Sequence, residues 1–203
     1  MVGDQGHVIQ IQMDILFVSA NSPNAYIDIE REHRTLQKLV ATGNHSLQVL
    51  PAAEVTDLRD ALRANKKDKG FDVLHFSGHA TEEEGLHLRG EGRRKEVLSG
   101  DTLKAFLKGA EVKLVVLNAC HSEALAISIS EVVPAAIGTT RVIRDVVARR
   151  FTRNFYGALK DNATVNEAFE AALKKGKQGS SAYMHAGENL NITVVQNATP
   201  EMV

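Results

Sequence analysis

Val112-Lys113-Leu114-Val115-Val116-Leu117 is the most apolar run of the chain, and it leads directly into Asn118-Ala119-Cys120-His121-Ser122. A short β-branched run without helical period reads as a strand buried on both faces, and the most apolar such strand belongs at the centre of a sheet. Working outward, the same alternation recurs. Met13 to Ser19, Leu47 to Leu50, Phe71 to Ser77 and Ala135 to Ile137 read as further strands. Between them, Ile27 to Val40, Val55 to Arg63, Ser122 to Ser130, Arg141 to Leu159 and Val165 to Lys174 read as helices, the first with its apolar positions on one side. Gly85 to Gly90 and Glu96 to Leu98, around the charged Glu91 to Lys95, predict a small hairpin inserted in the middle of the chain. Ser99 caps a helix that Gly109 stops. Leu190 to Val195 alternates as a last edge strand would, and Gln196 to Val203 reads as a flexible tail.

Strands separated by helices predict an α/β fold: an open, mostly parallel sheet with helices on both faces and a hairpin insertion. A length of 203 residues suits a single domain over residues 1–203. In such sheets ligands and chemistry collect outside the carboxyl ends of the strands. The residues to inspect therefore lie just past Val18, Phe76, Leu117 and Ile137.

Composition narrows the choices. Apolar residues make up 43% and the net charge is −1, which argues against a disordered chain and against bulk electrostatic binding of nucleic acid. The single cysteine allows no internal disulfide and no multi-thiolate zinc site. The first ten residues lack the cationic start and apolar run of a secretion signal, and no apolar run approaches the roughly 20 residues of a spanning helix. The expectation is a cytoplasmic protein without a membrane partner.

Two strand ends carry reactive groups. One reads Phe76-Ser77-Gly78-His79-Ala80 and the other Leu117-Asn118-Ala119-Cys120-His121-Ser122. Neighbouring strands would put an imidazole beside the only thiol, where it can help ionise a nucleophile and then protonate a leaving amine. Backbone N–H groups at such turns can face a developing oxyanion.

With His75-Phe76-Ser77-Gly78-His79 and Leu117-Asn118-Ala119-Cys120-His121-Ser122 in this order, the chain resembles the CHAT-domain family of caspase-like, separase-related cysteine peptidases. The resemblance runs from Ile15 to Leu173. It implies a caspase-like fold, a protein substrate, no cofactor, and cleavage through a thioester. His79 would be the base and acid, Cys120 the nucleophile, and the backbone N–H groups of Ala80 and Cys120 the oxyanion hole. Asp145 matches the region that holds the residue before the cut, which an acid there would make arginine or lysine. The family usually has glycine where this chain has Ala80, a cost if that turn needs positive φ. No sensor repeats are visible, so any trigger is expected to be a regulatory partner chain or a small ligand. A role in prokaryotic stress or antiviral defence is implied by the resemblance alone.

Other readings stand beside this one. A caspase-like module that binds without turnover would explain Ala80 and the missing sensor. A nucleotide-binding domain would need a phosphate loop, and Gly138-Thr139-Thr140 has neither the glycine fingerprint nor the lysine. His75, inside a strand, reads as a packed structural histidine. Cys120, His121 and His79 do not make a zinc site, because adjacent residues rarely ligate one ion and a fourth ligand is missing. Glu82-Glu83-Glu84 reads as a solvated loop or as an acidic rim for basic substrates. Arg93-Arg94-Lys95, Arg149-Arg150 and Lys174-Lys175 have no interleaved aromatics and read as solvated faces, with no nucleic acid expected.

Overall fold

The computed structural model describes residues 9–11, 13–22, 26–42, 45–65, 70–176, 183–186 and 192–194. In chain order the elements are β1 (Ile9–Ile11), β2 (Asp14–Ala20), α1 (Ile29–Val40), β3 (Ser46–Leu50), α2 (Val55–Asn65), β4 (Val73–Thr81), β5 (Gly85–Arg89), β6 (Lys95–Leu98) and α3 (Gly100–Leu107). They continue with β7 (Leu114–Asn118), α4 (Glu123–Ile129), β8 (Ala135–Thr139), α5 (Asp145–Lys160), α6 (Val165–Gly176), β9 (Tyr183–Ala186) and β10 (Ile192–Val194).

The main sheet has the order β3-β2-β4-β7-β8-β9, with β5 and β6 branching from β4. The first five strands run parallel, and β9 closes the edge antiparallel to β8. The central strand β7 is buried at every residue, as its unbroken apolar reading predicts. Side chains alternate between two cores. Ile15, Phe17, Val73, Leu114, Val116 and Ile137 face one side and pack against α1, α5 and α6. Leu16, Val18, Leu74, Phe76, Val115 and Leu117 face the other and pack against α2, α3 and α4.

Local signals act as expected at several ends. The Ser99 side chain accepts a hydrogen bond from the Thr102 N–H and caps α3, and Gly109 takes φ 78° beyond its end. The predicted hairpin is the antiparallel β5–β6 pair. Its entry needs Gly85, where φ is 105° and a Cβ would come within 2.4 Å of the Leu98 carbonyl oxygen.

Three features differ from the sequence expectation. Strand β4 does not stop at Ser77. It runs on through His79 to Thr81, because residues 79–81 exchange parallel pairing within the sheet for antiparallel pairing with β5. Residues 192–194, expected at the sheet edge, pair in parallel with Ile9–Ile11 in a separate two-stranded sheet, and β9 takes the main edge instead. Helix α5 begins at Asp145, four residues later than Arg141. The tail from 196 lies outside the described residues, as do Leu190, Asn191 and Val195. Among the described residues no helix is long and apolar enough to cross a membrane.

Candidate active site

Strands β4 and β7 are parallel neighbours with Ser77 aligned to Asn118. His79 and Cys120 each lie two residues beyond that pair, at the carboxyl ends of two central strands. The parallel pairing ends at that register: beyond it His79 pairs with β5, and Cys120 enters the turn that leads to α4. His79 is half-buried and held in strand conformation by its pairing with His87. Ala80 is buried in the same strand, and its φ is not positive, so the feared cost of alanine does not arise. The glycine that matters is Gly78, where a Cβ would meet the Ala20 carbonyl oxygen at 2.8 Å.

The chain leaves β7 through a turn at 119–122, with His121 in the left-handed region at φ 51°. Cys120 is half-buried there, and its Sγ accepts the Ile143 N–H at 3.4 Å. Ser122 and Thr139 brace the turn. The Ser122 hydroxyl donates to the carbonyl oxygen of Ala119 (2.9 Å) and accepts the Thr139 N–H (3.0 Å), while the Thr139 hydroxyl donates to the same Ala119 oxygen (2.6 Å). Gly138 lets α4 approach β8, since a Cβ would lie 2.7 Å from the Ser122 oxygen.

Beneath the two strand ends lies a buried polar cluster centred on Glu32. Its carboxylate accepts from Ser77 Oγ (2.7 Å), Thr152 Oγ1 (2.6 Å), His75 Nε2 (2.9 Å) and the Asn118 amide. His75 Nδ1 shares a hydrogen bond with the Tyr156 hydroxyl at 2.9 Å, which accounts for the histidine as a packed structural residue. The Tyr183 hydroxyl donates to Asn118 Oδ1. Burial pushes the Glu32 carboxyl up, but the hydrogen bond and attraction of His75, with the hydroxyls of Thr152 and Ser77, outweigh it and hold the group below the usual carboxylate range. Burial first, then Glu32 and Cys120, push the Tyr183 phenol well above its ordinary value. One carboxylate thus ties α1 and α5 to both strand ends.

Sequence reasoning missed this cluster. Its available signal was an acid on the buried face of an amphipathic helix, since Ile29, Glu32 and Leu36 share one side of α1.

Beside Cys120 is a narrow cleft lined by Ile27, Asp28, Glu32, Ile143, Asp145 and Arg149, among others. Asp145 therefore stands on the same cleft as the thiol, at the first residue of α5. Its Oδ2 accepts the Asp28 N–H at 3.1 Å, and Asp28 in turn pairs with Arg31 (3.0 Å) and Arg149 (3.6 Å). The free volume is about 20 Å³, room for about one water molecule. On the opposite side of the strand ends, Ala80, Glu82, Glu83, Asp101 and His121 line an open groove of about 280 Å³. Glu84 of that acidic run is drawn into pairs with Lys95 and His87, so the rim is less acidic than three consecutive glutamates suggest. Among the described residues no group of three or more His, Cys, Asp or Glu side chains is placed to hold a metal ion.

A mostly parallel sheet with helices on both faces and a hairpin branching from β4 defines a caspase-like fold, and solved structures share it. The Drosophila initiator caspase Dronc superposes with a TM-score of 0.62 over 95% of this chain and 88% of its own, at 9% identity. Caspase-1 from Spodoptera frugiperda gives 0.59 over 100% and 98%, at 10% identity. The chain belongs to the CHAT domain family, whose model matches residues 16–185. It is similar to a probable protease of Gillisia limnaea, 29% identical over 71% of this chain and 26% of that protein. It is also similar to a Roc-COR-CHAT protease of an unknown prokaryotic organism, 24% identical over 56% of this chain and 12% of that protein. The chain spans no more than about a quarter of the length of these curated relatives.

Proposed function

We propose that the chain is a cysteine endopeptidase that cuts protein partners after a basic residue, using Cys120 and His79. The observation that carries this reading is the β4–β7 register, which sets the two residues equally far past the pair Ser77–Asn118, with Asp145 on the cleft beside the thiol. His79 takes the thiol proton, and the thiolate attacks the scissile carbonyl carbon. The backbone N–H groups of Ala80 and Cys120 stabilise the oxyanion. Collapse breaks the C–N bond, the amine leaves with the proton from His79, and water activated by His79 hydrolyses the thioester. Asp145 holds the basic side chain, and the acidic groove along Glu82 and Glu83 favours further basic residues. The cleft must widen to admit arginine or lysine, which agrees with a trigger from a regulatory partner or a further segment of a longer chain.

The test is incubation with reporter peptides carrying arginine, lysine or aspartate at the cut position. Arginine or lysine peptides are cleaved, and Cys120→Ala and His79→Ala each lower the rate by about 10³-fold or more. Equal cleavage by parent and Cys120→Ala overturns the assignment. The closed cleft favours a second reading, a module that binds a protein without turnover. On that reading an electrophilic peptide probe leaves Cys120 unlabelled at neutral pH.

A further inference from the structure

The basic residues of α1 and α5, dispersed in sequence, converge in space. Arg31, Arg34 and Lys38 recur at helical spacing along one face of α1, and Arg149, Arg150 and Arg153 along one face of α5. The two faces line a single groove of about 560 Å³. Arg31, Arg34, Lys38 and Arg153 are exposed, while Arg149 and Arg150 are half-buried. The groove is therefore open to a ligand from solvent and rests on half-buried guanidinium groups. Asp28 pairs with Arg31 and Arg149 at its end. Six cations here, in a chain of net charge −1, are a local concentration and not a consequence of bulk charge.

We propose that this groove binds a polyphosphate chain, free or carried by a nucleotide. Five of the six cations are arginines, whose planar forks match phosphate oxygens in pairs. Every phosphate group of such a chain carries at least one negative charge in a compact volume, and a terminal group roughly −1.5 to −2. An extended acidic peptide turns only every second side chain toward one wall, so it places fewer charges in the same space. Among the described residues no aromatic side chain lines the groove, so successive bases of a single strand would find no stacking surface there. Arg149 also lines the cleft beside Cys120, so the proposed site adjoins the candidate active site without depending on its chemistry.

Calorimetric titration of the full chain with sodium tripolyphosphate, ATP, hexaglutamate and a short single-stranded oligonucleotide, all at one ionic strength, tests the proposal. Tripolyphosphate is expected to bind, to weaken as potassium chloride is raised, and to bind about ten-fold or more weakly to Arg34→Glu/Arg153→Glu. Lys174→Glu/Lys175→Glu on α6 keeps the parent affinity. Circular dichroism and ligand-free melting confirm that both variants are folded. Tripolyphosphate as tight as ATP makes the free chain the ligand, and tighter ATP makes a nucleotide the ligand; either supports the site. Unchanged affinity in the α1/α5 variant, equal loss in the α6 variant, or tighter binding of hexaglutamate or the oligonucleotide overturns it.

Discussion

Glu32 is 3% exposed and accepts hydrogen bonds from four side chains belonging to β4, β7 and α5. Removing it leaves the Ser77, His75 and Thr152 donors buried without that acceptor, so Glu32→Ala is expected to cost about 3–5 kcal/mol in urea unfolding. Its folded pKa lies below the unfolded value. The ionised group therefore adds stability that is fully present above the ordinary carboxylate pKa of about 4.3 and is lost as pH falls through the folded value. Unfolding curves from pH 7 to pH 3 should show the parent losing more stability at the acid end than Glu32→Gln. Asp145 makes a different kind of contribution. On the proposed function, Asp145→Asn removes one of the charges lining the cleft, and the ratio of kcat/KM for arginine over uncharged peptides should fall by about ten-fold or more. The buried acid was hard to read from sequence because helical period marks which face is buried, not which polar atoms await it there.

At the scale of elements, the turn from β7 into α4 depends on β8. Gly138→Ala would push a Cβ against the Ser122 oxygen and Ala126, and α4 and the Cys120 turn must shift to relieve it. The expected cost is about 1–3 kcal/mol, with slower alkylation of Cys120 by iodoacetamide. Ser122→Ala leaves the Thr139 N–H buried without its acceptor, and thermal melting should show a loss of about 1–3 kcal/mol. Element types and the hairpin were legible because strands and helices differ in apolar period and because Gly85, Ser99 and Gly109 have specific local roles. The continuation of β4 through His79 was not legible. Ser77-Gly78-His79-Ala80 looks like a strand ending, and only the partner strand β5 keeps it extended.

For the whole molecule, one sheet separates two cores, so neither face can lose its packing alone. Phe155 and Leu62 are fully buried, one on each side. Phe155→Ala should cost about 3–5 kcal/mol and Leu62→Ala about 2–5 kcal/mol. Both should lower the denaturation midpoint while fluorescence and circular dichroism still report one coincident transition. Separate transitions for the two probes would mean that the faces fold independently.

The sequence by itself determined the layered α/β fold and which two strands lead to the thiol and the imidazole. Both follow from local apolar period and from strand ends within one short stretch each. Tertiary structure alone decided the strand order, the switch of β4 to a second partner, the Glu32 cluster and the meeting of the α1 and α5 cations. Those depend on residues far apart in sequence, 120 positions for Glu32 and Thr152, and packing between distant segments leaves no periodic trace in either one.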